Sequence, residues 1–316
     1  MSGVQSALDA AGPQAARIES LWWLMFYLLT AIYVIVMIVV LVSALRRRTE
    51  TTDVAKQEQR ASRTVTGAVA ATIVILFGLL LSSFLVGRAL NSALPATGNE
   101  LTIEITGHQW WWAVRYNHPA PNQVVMTANE IRIPVGRPVR FKLNSTDVIH
   151  SFWVPNLHGK TDLIPSHPAE TWLQADHPGV YRGQCAEFCG LQHAHMSFEV
   201  IAEPEQQFQA WYAAQVQSAV QPATPQQVRG QQVFLNSTCV MCHRIQGTDA
   251  GGNVGPDLTH VAGRQTIAAG TLANTRENLR RWIVDPQQIK PGNHMPPNPL
   301  QPDDLEALLD YLLILK

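Results

Sequence analysis

Two uncharged apolar runs, Leu21–Leu45 and Thr64–Val86, constrain this chain more than any other feature. They are 25 and 23 residues long. As helices rising about 1.5 Å per residue, each reaches roughly 35 Å, more than a bilayer core of about 30 Å. A buried helix of a large soluble core would explain one such run; two of them flanked by arginine predict a transmembrane hairpin. The first run is too long, and too closely followed by a second, for a cleaved signal peptide. The connecting loop, residues 46–63, holds Arg46, Arg47, Arg48, Lys56, Arg60 and Arg63, against Arg17 before the first run and Arg88 after the second. The positive-inside rule puts that loop in the cytoplasm. The expectation is a multi-pass protein of the cell membrane, with two spans in the lipid bilayer and both termini and the soluble domains extracytoplasmic.

The rest of the 316-residue chain is long enough for two further domains. Residues 99–316 carry fifteen Lys/Arg against nineteen Asp/Glu, and residues 1–98 carry eight against five. No segment has the basic surplus of a nucleic-acid binder, so that class is excluded. Residues 99–203 read as β. Ile131, Ile133 and Val135 alternate with Arg132 and Pro134, and after Gly136-Arg137-Pro138, Val139, Phe141 and Leu143 alternate with Arg140 and Lys142. That is the period of half-buried strands, and further short runs of the kind predict a sandwich or barrel. Residues 204–225 read as an amphipathic helix and a polar, proline-containing linker. Residues 226–316 read as helical, opened by the cap pair Thr224-Pro225 and closed by a helix with Leu305, Leu308, Leu309 and Leu312 on one side. The expected fold is multidomain: a two-helix transmembrane hairpin (residues 1–98), an all-β domain and an all-α domain.

Four cysteines are too few for a disulfide scaffold, and they fall in two pairs. The first pair lies in Cys185-Ala-Glu187-Phe-Cys189-Gly-Leu-Gln-His193-Ala-His195-Met196, with His150 upstream in an expected strand. Thiolate, imidazole and thioether together suit copper. A single-copper blue site needs one Cys, two His and a Met, and this set has one Cys more. Two sulfurs can bridge two copper ions, with Met196 and a backbone carbonyl near Glu187 as weak axial donors. A Cys185–Cys189 disulfide, or a zinc site of His150, Cys185, Cys189 and His193, also fits these residues.

The second pair lies in Cys239-Val-Met-Cys242-His243. Cys-x-x-Cys-His is the attachment pattern of haem c, with two thioethers and the next residue as proximal ligand. A thioredoxin-like motif needs no following His and expects a βαβ setting that is missing here. A distal Met would raise the haem potential, and Met295 is the one Met downstream of the motif. His294 competes with it.

These residues resemble a known family. His150-Ser-Phe-Trp-Val-Pro155, Lys160-Thr-Asp162, Gly107-His-Gln-Trp110-Trp-Trp112 and the 185–196 loop are similar to subunit 2 of cytochrome c oxidase over about residues 20–203. Residues 226–316 resemble a small class I cytochrome c. The resemblance implies a cupredoxin barrel holding the binuclear CuA centre, with His150, Cys185, Glu187 (through its carbonyl), Cys189, His193 and Met196 as ligands. It also implies a magnesium ion on the Glu187 side chain at the subunit 1 boundary, and Trp110 as the residue through which electrons enter. In the helical domain it implies Cys239 and Cys242 bound covalently to haem, His243 and Met295 on its iron, and Pro256 accepting the proximal imidazole proton. Gly230, Phe234, Leu308 and Tyr311 match helix-crossing contacts that core packing explains as well.

The implied function is the electron-transfer subunit of a respiratory cytochrome c oxidase. A bc complex or cytochrome c would reduce haem c, and CuA would pass electrons to subunit 1, in a complex that also holds subunit 3, for reduction of O2 to water with proton translocation. The alternative is the CuA subunit of a haem–copper nitric oxide reductase. A tethered copper-storage protein would have no use for covalent haem. Residues 64–86 contain no acidic group, which departs from family members with a Glu at the start of the second span, so no proton-path residue is carried over. Fusion through a linker of about ten residues would hold the haem at an effective concentration of order millimolar.

Overall fold

The computed structural model describes residues 5–46, 54–90 and 100–316. They form two compact units, one made of Ala16–Ala93 and the other of Met1–Ala15 with Leu94–Lys316.

The smaller unit holds most of α1 (Pro13–Leu45) and all of α2 (Val54–Leu90), of 33 and 37 residues. Both helices are long and apolar enough to cross a membrane, and none of their apolar window is buried. They overrun the apolar runs at their ends. Pro13 can open a helix because its missing N–H would have had no partner there. Residues 54–63 are rich in Ala, Gln, Lys, Glu and Arg, good helix formers that extend α2 toward its N-terminus. Arg46, Lys56, Arg60 and Arg63 are described; Arg47 and Arg48 of the basic loop lie outside the described residues.

The β part of the larger unit contains β1 (Thr102–His108), β2 (Trp111–Asn117), β3 (Val125–Ala128), β4 (Glu130–Pro134), β5 (Val139–Ser145), β6 (His150–Trp153), β7 (Thr161–Leu163), β8 (Ala169–Leu173), β9 (Gly179–Cys185) and β10 (Ser197–Glu203). Among the described residues they make two five-stranded sheets, ordered β3-β2-β1-β5-β8 and β4-β10-β9-β6-β7. The expected sandwich is present. The Gly136 turn does not join neighbours of one sheet: β4 lies in the second and β5 in the first. Gly136 takes φ +72° there, a left-handed conformation that glycine adopts without steric penalty. Alternate residues of β1, β2, β4 and β5 point inward, and Trp112, Phe152 and Phe198 meet at the centre, with the Phe152 and Phe198 rings stacked 4.6 Å apart. α3 (Glu205–Gln215) covers one end, placing Trp211 and Tyr212 against Tyr116.

The helical part contains α4 (Pro225–Leu235), α5 (Cys239–Cys242), a two-stranded ribbon of β11 (Thr266–Ile267) and β12 (Leu272–Ala273), α6 (Arg276–Val284), α7 (Pro286–Ile289) and α8 (Pro302–Leu312). Thr224 caps α4: its hydroxyl accepts from the Gln227 N–H at 3.2 Å, and the Gln227 side chain accepts from the Thr224 N–H at 3.2 Å. The linker before it is held down rather than loose. Ala219 is buried and donates to the Gln246 carbonyl (2.9 Å), and the His260 ring reaches the Gln217 carbonyl (3.1 Å). The chain tether is thus part of the helical fold, not a free coil. α4 crosses α8 at Gly230, where a Cβ would overlap the Ala307 carbonyl. Gly230→Ala is expected to destabilise the helical domain by about 1–3 kcal/mol, as overpacking does. Thermal unfolding followed by helical circular dichroism checks it, and an unchanged midpoint would mean that the crossing yields without strain.

Candidate functional site

Hydrogen bonding along β9 and β10 brings the two ends of the ligand loop together. Cys185 closes β9 and Met196 immediately precedes β10, and the Cys185 N–H donates to the Met196 carbonyl at 2.9 Å. β6 lies on the other side of β9, with Phe152 opposite Cys185. That register carries His150 to the same place. Residues distant in sequence therefore converge because three adjacent strands end at one edge of the sandwich.

The Cys185 and Cys189 sulfurs lie 3.7 Å apart, and both thiols are free and buried. A disulfide would need about 2.05 Å. Two sulfurs bound tetrahedrally to one metal at about 2.3 Å stand roughly 3.7–3.8 Å apart, so the spacing suits sulfurs that share a metal. Imidazole nitrogens meet both: His150 Nδ1 is 3.8 Å from Cys185 and His193 Nδ1 is 3.6 Å from Cys189. The Glu187 carbonyl lies 3.2 Å from the Cys185 sulfur, and the Met196 thioether 3.8 Å from that of Cys189. Zinc has no use for the last two donors, whereas copper accepts thioether and carbonyl as weak axial ligands. The donor set fits copper. The Glu187 carboxylate, by contrast, is half-exposed and ion-paired with Lys160 at 3.3 Å.

Electrostatics prepare the donors. The contact between the two sulfurs holds the Cys185 thiol well below the ordinary thiol range, while the same contact and burial push Cys189 up. The Asp147 carboxylate accepts from His150 Nε2 at 2.8 Å, which leaves Nδ1 as the lone-pair nitrogen facing the sulfurs. Burial opposes ionisation of Asp147, but bonds from His150 and from the Val148 and Gln109 N–H groups outweigh it and bring its pKa to about 2. Gly107 leaves room for the His150 ring, which a Cβ would meet at 2.8 Å. Asp147 was missed from sequence, and Gly107 entered only as part of the 107–112 motif. Asp147 stands three residues before His150, yet only the turn before β6 makes that a contact.

In the helical part, Cys239, Cys242 and His243 line a cavity of ≈ 550 Å³ with Leu279, Trp282, Ile283 and Leu308. His243 Nδ1 donates to the Pro256 carbonyl at 2.8 Å. Burial lowers its pKa and the carbonyl acts against that, so the ring is a neutral imidazole with its Nε2 lone pair available. Gly255 lets the ring lie flat on the backbone, since a Cβ would meet it at 2.8 Å. An apolar slot with two thiols and an imidazole at its mouth fits a covalently held haem. Met295 and His294 both line the same cavity.

Trp110 stands between the two sites. Its indole N–H donates to the Cys189 carbonyl (2.9 Å), its ring lies 5.5 Å from that of His294, and it lines the helical cavity. Gln109, which sequence reading did not single out, donates to the same Cys189 carbonyl at 2.8 Å.

Residues 118–203 match the family profile of the cytochrome c oxidase subunit II periplasmic domain, and residues 227–316 match that of cytochrome c. The chain is 42% identical over 224 residues to cytochrome c oxidase subunit 2 of Alkalihalophilus pseudofirmus, covering 70% of this chain and 64% of the relative. It is 34% identical over 231 residues to the protein of the same name from Bacillus sp. strain PS3, covering 69% and 63%. The match thus spans just under two thirds of each relative's length. Replacement of Asp147 by Asn is expected to weaken metal binding at the sulfur site by about 10–100-fold, because the amide no longer fixes the His150 tautomer. Competition with a chelator measures this, and unaltered affinity would show that Asp147 orients nothing.

Proposed function

The chain carries a cytochrome c oxidase subunit II periplasmic domain followed by a cytochrome c domain, and from that premise we propose that it is the electron-transfer subunit of a respiratory membrane oxidase. It accepts electrons from a bc complex or cytochrome c at haem c and delivers them through CuA to subunit 1, where O2 is reduced to water and protons are translocated. Subunit 3 is a further partner. The helices α1 and α2 anchor it in the bilayer, with loop 46–63 cytoplasmic and both soluble domains outside.

The observation that carries this reading is the position of Trp110, bonded to the sulfur loop on one side and lining the haem cavity on the other. His150, Cys185, Cys189, His193, Met196 and the Glu187 carbonyl would hold the copper pair, and the Glu187 carboxylate beside Lys160 would face a magnesium ion at the subunit 1 boundary. Cys239 and Cys242 would anchor haem, with His243 and Met295 on the iron. When bound, the copper pair would supply one-electron transfer with small reorganisation, and haem c would carry one further electron.

The residues around these groups do the rest. The nonpolar wall of the cavity keeps water from the macrocycle, and the Pro256 carbonyl keeps the proximal ring in one tautomer. The His294 ring is engaged with Trp110, which favours its neighbour Met295 as distal ligand. Asn293 Oδ1 accepts from the Met295 N–H at 2.8 Å, and Gln287 Nε2 donates to the Met295 carbonyl at 2.9 Å. These bonds hold the distal loop in shape before any ligand is bound.

The purified complex is expected to contain two copper ions and one haem c per copy of this chain, to give a copper EPR signal split by two equivalent nuclei, and to consume O2. A single copper, zinc in its place, or consumption of NO without O2 would overturn the reading. Met295→Ala is expected to abolish the ferric sulfur-to-iron absorption band and to lower the haem potential; a retained band would assign the distal position to another residue.

A further inference from the structure

Lys290 is only 2% exposed although its side chain ends in a charge. Its ammonium donates to three backbone carbonyls, those of His195 (2.8 Å), Trp110 (3.0 Å) and Ala268 (3.3 Å). An ammonium has three donors and no acceptor, so these carbonyls satisfy it completely. Two of them belong to the β-domain and one to the helical domain. Burial pulls the Lys290 pKa down to about 7, and three carbonyls aimed at one nitrogen are an arrangement that favours keeping the proton on it.

The backbone beside it is bent to the same end. Ala268 and Ala269 take φ 54° and 57°, a left-handed conformation that residues with a Cβ rarely adopt. The bend presents the Ala268 carbonyl to Lys290. It presents the Ala269 carbonyl to Ser197, whose N–H and hydroxyl donate to it at 3.1 and 2.9 Å. Gln192 Nε2 donates to the Pro291 carbonyl at 2.7 Å, and the Gln265 N–H donates to the Glu130 carboxylate at 2.9 Å. Strain of this kind persists where neighbouring contacts over-determine it.

We propose that Lys290 is a positioning residue that locks the helical domain onto the Trp110 face of the β-domain and closes that face to any separate electron-carrying protein. The proposal rests on the electron-transfer reading. His195 lies between His193 and Met196, and Lys290 lies five residues before Met295. One ammonium therefore ties the 185–196 loop, which carries the proposed copper donors, to the loop that carries Met295. Trp110 is bonded twice within this contact, donating from its indole to Cys189 and accepting at its carbonyl from Lys290. An external donor must then approach the helical domain from another side.

The test uses the full chain in its membrane complex. An amine-acylating reagent applied under native conditions, read by peptide mass spectrometry, is expected to modify the exposed Lys142 and Lys316 and to spare Lys290. Acylation of Lys290 at the rate of those two would overturn the proposal. Lys290→Met removes the ammonium at similar length. Haem and copper absorption should be unchanged, while haem-to-copper transfer after flash photoreduction slows by roughly ten-fold or more and added soluble cytochrome c begins to reduce copper directly. Unchanged transfer with the face still closed would overturn it equally, and if the variant does not assemble, the acylation result decides. Failure of the electron-transfer reading would look different, with Lys290 protected but no copper or haem signal.

Discussion

Two buried sulfurs held 3.7 Å apart set the terms for the β-domain. Their separation is too great for a disulfide and too small for two independent thiolates in a dry pocket, because like charges at that distance cannot both ionise without a counter-charge. The contact lowers the Cys185 thiol and pushes the Cys189 thiol up. A cation held by both sulfurs would remove the conflict, and its uptake would release protons. Strand pairing keeps the conflict in place, because Cys185 ends β9 under the hydrogen bond from its N–H to the Met196 carbonyl, and His150 stands on the neighbouring strand.

The joint between the β and helical domains uses a different physics from free encounter. The helical domain carries eight basic and eight acidic residues over 226–316, so it offers no strong net field for steering. Its contact instead uses buried hydrogen bonds to backbone carbonyls, at Lys290, Gln192 and Ser197. Bonds of that kind are little screened by salt. The linker is also laid down against the helical fold through Ala219 and His260, so the high local concentration expected of a flexible tether is replaced by a fixed contact.

Much of the site could be read directly. The spacing of Cys185, Cys189, His193 and Met196 places four candidate donors on one short loop whatever the surrounding fold, and Cys239, Cys242 and His243 form a second compact motif. The Thr224-Pro225 cap was legible because a capping box is purely local. The role of the Gly136 turn was not. Alternation on both flanks gave the burial pattern of each strand, but nothing local says that the chain changes sheet there. Asp147 and Lys290 were hidden for the same reason. A carboxylate and an amine look like solvated charges until tertiary packing removes the water and supplies an imidazole or three carbonyls.

Hydropathy, periodicity and ligand spacing are properties of neighbours along the chain, and they alone determined the two apolar helices, the β and helical segments, and both donor loops. Which strands share an edge, which carboxylate orients His150, and which surface of the helical domain meets Trp110 were decided only in three dimensions. Those choices depend on desolvation and on hydrogen bonds between residues far apart in sequence, and neither exists until the chain has closed on itself.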